Sequence, residues 1–193
     1  APDYAWFFSR KNVPLIITFH NYVLDRFMAA FSNLAQTIHY RTDLKLFTRL
    51  SIREARMITA VSRFTADLVK KDLNLSKEIR IIYNGVDQNL FIPPNCTSPE
   101  KQKNIIVLFS GNLTQRKGAQ WLAPIAAKLH CYIEIIYTSG LQPKGILSKH
   151  ERLRCLGRIP YQQMPQIYQH ADILLFPTVR EGFGLAAAEA MAC

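Results

Sequence analysis

Two glutamates late in the sequence enclose a glycine-containing turn. Glu181 precedes the turn and Glu189 follows it in the segment EGFGLAAAEAMA, with seven residues between them. The apolar run at 173–176 predicts a buried strand before the turn, and a helix of small residues is predicted from Leu185. That helix would begin at the carboxyl edge of a parallel sheet, where open α/β sheets bind ligands. Its free amides and its dipole favour an anion such as a pyrophosphate.

The two carboxylates narrow the class of ligand further. A carboxylate cannot stabilise a phosphate, so Glu181 and Glu189 are expected to accept hydrogen bonds from hydroxyl groups, such as those of sugar rings. Gly182 and Gly184 would let the backbone approach such a ligand closely. Taken singly, Glu181 is better explained as a helix-start acid, and Glu189 as a solvated helix residue. The combined pattern favours a sugar nucleotide.

A second constellation follows the strand predicted over 105–110. Gly111 opens a turn, and Arg116 and Lys117 lie at its far end, where a helix is predicted from about Gly118. Two cations at the entrance to a helix suit a diphosphate, because they can neutralise the charge that grows on a departing nucleotide. For this segment alone, a solvated basic turn is the competing explanation.

A lone histidine, His20, follows the apolar strand predicted over 15–19. Buried parallel strands deliver polar residues at their C-terminal tips, and this tip carries Thr18, His20 and Asn21. A single histidine is more often structural than functional. His20 is therefore a candidate only in combination with the two constellations above.

Four basic residues recur at every fourth position around the helix predicted over 44–55 and would form a cationic stripe: Arg41, Lys45, Arg49 and Arg53. One interpretation is contact with an anionic membrane face or a lipid-diphosphate acceptor. A solvated helix face is the simpler interpretation.

The composition describes an ordinary globular protein with a high charge. Of 193 residues, 49% are hydrophobic, and the formal net charge is +10, which predicts a folded core and an acidic partner. Nucleic acid is not expected, because no recognised motif or aromatic-lined basic strand accompanies the charge. No apolar run reaches the roughly 20 residues of a membrane span, and the first residues lack the order of a signal peptide.

The cysteines predict neither a zinc knuckle nor a dense disulfide framework, because they are far apart and form no CxxC pair. They are Cys96, Cys131, Cys155 and Cys193. We therefore expect a cytoplasmic protein, with peripheral contact at the inner membrane face as an open alternative.

Strands and helices alternate along both halves of the chain, which predicts an α/β protein with two Rossmann-like domains on mainly parallel sheets. In the first half, strands are predicted over 15–19, 57–61 and 79–83, and helices over 44–55 and 63–71. In the second half, strands are predicted over 105–110, 132–137, 153–156 and 173–176, and helices over 118–129, 161–169 and from Leu185.

Local signals set the predicted boundaries. Ser62 is a natural N-cap for the helix that follows it, and Asn84-Gly85 is a strong turn signal. A proline-rich, aperiodic stretch then predicts a linker. The predicted domains are 1–85 and 105–193, joined by a linker over 86–104.

Several segments resemble the retaining glycosyltransferases of family 4, which have the two-domain GT-B fold. The segment from Glu181 to Glu189 is similar to the family's E-x7-E signature. The resemblance is carried further by Leu156-Gly157-Arg158-Ile159, by Met164, Ile167, Tyr168, Ala171 and Asp172, by Asn84-Gly85-Val86-Asp87 with Phe91, and by Ala60-Val61-Ser62. The family usually has Gly-Arg where this chain has Gly111-Asn112, which leaves the phosphates to Arg116 and Lys117.

The resemblance implies transfer of a sugar from a nucleotide diphosphate sugar to an acceptor, with retention of anomeric configuration. The donor would bind the second domain and the acceptor the first, with transfer in the cleft. His20 and Glu181 would be catalytic and hold the donor sugar, while Glu189 would take ribose hydroxyls. Donor binding would involve Gly111, Arg116, Lys117, Gly182, Phe183, Gly184, Leu185 and Glu189. No metal ion or other cofactor is expected.

The resemblance leaves substrate identity open. The acceptor would be a sugar, a lipid-linked sugar or a small molecule, in cell-surface polysaccharide or glycoconjugate synthesis. Residues 137–140 and 158–161 fit several donor bases and sugars. Both domains are expected to be incomplete, because the first residue is not Met and the family continues beyond Cys193 with Gly-x-Pro-Val. A non-catalytic nucleotide-sugar-binding fragment, or a GT-B epimerase or phosphorylase, therefore stays open.

Overall fold

The computed structural model describes residues 2–10, 12–94, 104–140 and 150–193. The chain divides into two compact units. The first unit comprises Ala1–Asn84 with Glu181–Phe183, and the second comprises Gly85–Arg180 with Gly184–Cys193. Each unit has its own sheet, and all the strand pairings of both sheets are parallel in the part of the chain that is described. The predicted α/β class with parallel sheets is confirmed.

The sheet of the first unit has three strands in the order β1-β2-β3. They are β1 (Leu15–Phe19), β2 (Ala55–Ala60) and β3 (Arg80–Ile81). The first two pair from Leu15↔Ala55 to Phe19↔Ala60. Ile17, Phe19 and Ile58 are buried in the core, as expected for apolar strands covered by helices.

The helix predicted over 44–55 is confirmed, and a helical segment that was not predicted precedes it. Helix α1 (Leu34–His39) starts at Asn33, whose side chain and that of Gln36 form a capping box. A π-helical turn, Tyr40–Leu44, leads directly into α2 (Lys45–Glu54). Short 3-10 helices at Pro2–Phe8 and Arg26–Phe31, which the sequence analysis did not predict, complete this part.

The helix predicted after Ser62 is confirmed. Helix α3 spans Arg63–Leu73, and the Ser62 side chain accepts a hydrogen bond from the Thr65 amide. The helix ends at Asn74, which has the left-handed φ of 51° typical of such ends.

Among the described residues of the second unit, the sheet has four strands in the order β6-β5-β4-β7. They are β4 (Ile105–Phe109), β5 (Ile133–Thr138), β6 (Leu153–Gly157) and β7 (Ile173–Leu174). Leu108, Ile135 and Ile136 are almost completely buried. Strand β7 is shorter than the predicted 173–176.

In the described ranges 104–140 and 150–193, three α-helices accompany this sheet: α4 (Leu122–Lys128), α5 (Met164–His170) and α6 (Leu185–Ala192). Short 3-10 helices span Gln115–Lys117, Ala119–Trp121 and Tyr161–Gln163. The α-helix predicted from Gly118 begins only at Leu122, because Gly118 has a left-handed φ of 80°. Pro124 is tolerated there since the first helical turn needs no amide donor at that position.

The turn predicted at Asn84-Gly85 is displaced. The chain turns instead after Asp87, whose carboxylate accepts from the Asn89 amide at 2.9 Å and whose carbonyl accepts from the Phe91 amide at 2.9 Å. Phe91 is then buried in the core of the second unit. Residues 86–94 of the predicted linker group with that unit, and residues 95–103 lie outside the described part of the chain.

Within the described residues, no helix has both the length and the apolar character needed to cross a membrane.

Candidate functional site

The strand order of the second unit creates a topological switch point. Strand β5 lies on one side of β4 and β7 on the other. The loops that leave β4 and β7 therefore diverge at the carboxyl edge of the sheet, where open α/β sheets bind ligands. Most of the predicted donor-binding residues lie on these two loops or on the helix that follows β7: Gly111, Arg116, Lys117, Gly184, Leu185 and Glu189.

Backbone contacts join these two loops. The Arg116 carbonyl accepts from the Val179 amide at 2.9 Å and from the Thr178 hydroxyl at 3.2 Å. The Arg116 guanidinium donates to the carbonyl of Arg180 at 3.1 Å. A Cβ at Gly118 would lie 2.3 Å from the Pro177 carbonyl oxygen, so only glycine allows this approach. The two loops thus support one another.

Part of the bonding capacity of the basic residues at this edge is structural. The Arg116 guanidinium is a planar fork of five N–H donors, and one of them donates to the Arg180 carbonyl. The Lys117 side chain runs past Gly111, with its Cδ 3.8 Å from where a Cβ on Gly111 would be. The Gly111 amide donates to the Thr138 hydroxyl at 3.1 Å. Because its amide already has a partner, a donor-binding role for Gly111 would depend on the space left by the absence of a side chain.

The start of α6 has the geometry of an anion site. Gly184 is the N-cap with a left-handed φ of 87°, and no described side chain caps the helix. The Gly184 carbonyl accepts from the amides of Ala187 and Ala188 at 3.0 and 3.1 Å. The amides before them, at the exposed Leu185 and at Ala186, lie at the positive end of the helix dipole.

Glu189 is buried, with 8% of its surface exposed, so its interpretation as a solvated helix residue is wrong. Its Oε2 accepts a hydrogen bond of 3.0 Å from the hydroxyl of Tyr168, which lies 3.3 Å from the Ser110 Oγ. Burial raises the pKa of Glu189, and the Tyr168 hydrogen bond opposes that rise only in part. Burial also raises the pKa of Tyr168, so its hydroxyl remains a donor.

In the first unit, His20 is the exposed residue of the tip that follows β1. Its neighbours have local partners: Thr18 accepts from the Thr59 hydroxyl at 2.8 Å, and the Asn21 side chain accepts from the Tyr22 amide at 2.7 Å. Phe19 is buried. Of the polar tip predicted from the sequence, His20 is thus the side chain presented to solvent.

Residues 181–183 group with the first unit and pack on this tip. The hydroxyls of Ser62 and Thr65 both donate to the Gly182 carbonyl. A Cβ at Gly182 would lie 1.7 Å from the His20 carbonyl oxygen, so no side chain fits there. Phe183 packs near Tyr83, with 6.3 Å between ring centroids. The structure therefore brings His20, Gly182 and Phe183 together, next to the half-buried Glu181.

The cationic stripe is not uniform. The Lys45 ammonium donates to Asp72 Oδ2 at 2.8 Å and is about three-quarters buried, so it is not part of a solvated face. Arg41, Arg49 and Arg53 are exposed.

The residues that support the candidate site residues could not be identified from the sequence. Tyr168, Ser110, Thr138 and Thr178 have no local signal for these contacts, because each partner is distant in sequence: Tyr168 and Glu189 are 21 positions apart, and Gly111 and Thr138 are 27 apart. Among the described side chains, no group of three His, Cys, Asp or Glu residues is placed to hold a metal ion.

Both halves of the chain match known family models. Residues 2–90 match the model described as Glycosyltransferase Family 4, and residues 104–193 match the model described as Glycosyl transferases group 1. The D-inositol 3-phosphate glycosyltransferase of Segniliparus rotundus is 24% identical, over 96% of this chain and 45% of the relative. The chain spans about half the length of the curated relatives it matches.

Solved structures show the same fold. Sucrose-phosphate synthase from Thermosynechococcus elongatus is similar with a TM-score of 0.74 and 20% identity, over 92% of this chain and 48% of that chain. Anabaena HepE, solved in complex with UDP-glucose, is similar with a TM-score of 0.73 and 22% identity, over 93% of this chain and 51% of that chain. The predicted GT-B class, with its two Rossmann-like domains, is confirmed.

Proposed function

We propose a sugar-transfer function for this chain, whose two halves match glycosyltransferase family models and which has the GT-B fold. The chain would bind a nucleotide diphosphate sugar and transfer the sugar to an acceptor with retention of anomeric configuration. It would act in the synthesis of a cell-surface polysaccharide or glycoconjugate.

One observation carries this proposal: the switch point of the second sheet gathers two cations, a helix start and a buried carboxylate. Arg116 and Lys117 would neutralise a diphosphate together with the amides at the start of α6. Glu189 cannot favour a phosphate, but it can accept hydrogen bonds from ribose hydroxyls. This combination matches a sugar nucleotide better than a simple phosphate.

The transfer step would depend chiefly on positioning and on stabilisation of the departing diphosphate. His20 and Glu181 would hold hydroxyls of the donor sugar, and Phe183 would pack beside it. Since Arg116, Lys117 and the helix start together supply positive charge, we propose that transfer needs no metal ion. The acceptor would be a sugar, a lipid-linked sugar or a small hydroxyl compound.

Donor binding and transfer can be tested separately. Calorimetric titration with UDP-glucose and with GDP-mannose should give binding to the chain with at least one of them. Glu181→Ala should reduce the transfer rate by about 100-fold or more, because a contact made at the reacting sugar is lost, while donor affinity changes little. NMR spectroscopy of the product should show the anomeric configuration of the donor.

The outcomes that contradict the proposal are distinct. Near-normal transfer by Glu181→Ala would remove this residue from the catalytic set. Binding without transfer to any acceptor would reassign the chain to donor binding alone, and a folded chain without affinity for either nucleotide sugar would overturn the donor site.

A further inference from the structure

We propose that Tyr22, Asp72 and Lys45 form a hydrogen-bonded triad that positions His20, and that Lys45 thereby serves the site from within the cationic stripe. This inference rests on the proposed function for its catalytic readout. Its structural readout is independent of that function.

The triad joins three elements of the first unit through one carboxylate oxygen. Asp72 Oδ2, on α3, accepts from the Tyr22 hydroxyl at 2.6 Å and from the Lys45 ammonium at 2.8 Å. Tyr22 lies in the loop after β1 and is 2% exposed, while Lys45 is the first residue of α2. The loop is therefore tied to both helices.

His20 lies within the stretch that the triad fixes. On one side of it Phe19 is 1% exposed, and on the other side Tyr22 is anchored. The two rings pack edge to face with centroids 6.2 Å apart. His20 and Asn21 are the two residues between these buried rings, and the Asn21 side chain accepts from the Tyr22 amide. The backbone that presents His20 thus has little freedom.

The Asp72 carboxylate and the Tyr22 phenol keep their protonation states over the neutral range. Burial alone would raise the pKa of Asp72, but the hydrogen bonds from Lys45 and Tyr22 outweigh it and hold the pKa below its ordinary value. Burial and the bond to Asp72 raise the pKa of Tyr22. The carboxylate therefore stays ionised, and the phenol remains a donor.

Burial of the Tyr22 ring does not by itself require a polar triad. Well-packed apolar residues often replace buried ion pairs without loss of stability, whereas directional hydrogen bonds fix one arrangement of a loop. The Tyr22 ring fills the core, and its hydroxyl sets the direction of the loop. We therefore assign the hydroxyl and Lys45 to the positioning of His20.

The test compares Tyr22→Phe and Lys45→Met with the control Arg53→Met, an exposed cation of the same stripe. Tyr22→Phe should lower kcat about tenfold and leave donor affinity, measured by calorimetry, within about twofold, because the donor residues of the second unit are untouched. Lys45→Met should lower kcat about threefold, Lys45→Arg should restore most of it, and Arg53→Met should change nothing. In NMR spectra of labelled histidine, the His20 signal, assigned with His20→Gln, should shift or broaden in Tyr22→Phe and Lys45→Met only.

A double-mutant comparison separates the loss of His20 positioning from a general destabilisation of the fold. In a His20→Ala chain, Tyr22→Phe should cause no further loss of transfer, because the residue it positions is already absent. An equal further loss, or an unchanged His20 signal in folded Tyr22→Phe, would overturn the proposal. If Tyr22→Phe fails to fold, the kcat and the His20 signal of Lys45→Met test the proposal in its place. If the chain transfers no sugar, the His20 signal still decides the positioning role, so that this failure is distinct from a failure of the triad.

Discussion

Each unit contains a buried tyrosine whose hydroxyl donates to a carboxylate, yet the pKa values of the two carboxylates shift in opposite directions. In the first unit, Tyr22 donates to Asp72, and the pKa of Asp72 is lowered. In the second unit, Tyr168 donates to Glu189, and the pKa of Glu189 is raised. Cations explain much of the difference, because the Lys45 ammonium shares Asp72 Oδ2 with the tyrosine and Arg49 adds its charge. Asp72 is also less buried than Glu189. A hydroxyl alone does not compensate for the removal of a carboxylate from water, whereas a hydroxyl and a cation together do.

The two units also differ in how their loops are fixed. The loop after β1 of the first unit is held by side chains, through Tyr22 and Asp72. The loops after β4 and β7 of the second unit are held mainly by backbone, through the Arg116 carbonyl and the close approach of Gly118 to Pro177, with side-chain bonds from Arg116 and Thr178 beside them. Backbone contacts do not respond to pH, but they leave no room for an added side chain. Side-chain contacts tolerate changes of shape and respond to protonation.

The largest expected effect on stability is in the second unit, where backbone contacts hold the two loops. Gly118→Ala should lower the free energy of unfolding by about 3 kcal/mol, because it adds a left-handed strain and a collision with the Pro177 carbonyl. The control is Gly157→Ala, which has a similar φ of 73° and no atom within 4 Å of the added Cβ. It should cost about 1.5 kcal/mol, from strain alone. Urea denaturation measures both, and equal costs would show that the approach of the two loops is not tight.

A smaller effect tests the two carboxylates directly. Asp72→Asn should destabilise the chain by about 2 kcal/mol, because it removes a charged acceptor from Tyr22 and Lys45. The stability that Asp72 provides should be present above its ordinary pKa, near pH 4, and disappear as the pH falls through its lower folded-state pKa.

Glu189→Gln is the matched substitution in the second unit, and its effect on the free energy of unfolding should differ in direction from that of Asp72→Asn. Because the folded state raises the pKa of Glu189, the ionised carboxylate reduces stability at neutral pH, and that cost disappears as the pH falls through the raised value. Removal of the charge should therefore leave stability unchanged or raise it by about 0.5 kcal/mol. Destabilisation by both substitutions, measured by urea denaturation at neutral pH, would show that the two sites do not differ as described.

The smallest effect is on donor binding. With Glu189 in its proposed role, affinity for the nucleotide sugar that binds should fall about twofold between neutral pH and the acidic side of the raised pKa of Glu189, because a protonated carboxyl accepts fewer hydrogen bonds. The pyrophosphate diester of these donors keeps its charge over this range. Calorimetry should show weaker binding and a flatter pH profile for Glu189→Gln. A flat profile in the wild-type chain would separate Glu189 from the ribose.

The strands could be predicted from the sequence because each is a short apolar run with buried neighbours. The runs Leu15–Phe19 and Ile105–Phe109 need no tertiary information to be recognised as core, and Ser62 marks a helix start by its own chemistry. The edge strand β3 and the turn after Asp87 were placed less well, because their ends depend on pairing and on the burial of Phe91.

The candidate site was predictable only as a set of residue types. Charge and glycine spacing indicate a phosphate-binding edge, and the strand order then explains why its two loops are neighbours. The sequence could not show that Lys45 pairs with Asp72, 27 positions away, or that Tyr168 reaches Glu189, because such contacts depend on how the helices pack. The alternatives of a solvated Glu189 and a solvated Lys45 both failed for this reason.

Strand β7 pairs with its sheet over a short register. In the described part of the sheet, its register with β4 has two residue pairs, whereas β4 and β5 share five. Bonds from the Asp172 amide to the Ile106 carbonyl and from the Leu175 amide to the Leu108 carbonyl extend this edge at both ends. Local opening needs less free energy where fewer ladder bonds must break. The edge strand can therefore open locally at a lower free-energy cost than the central strands.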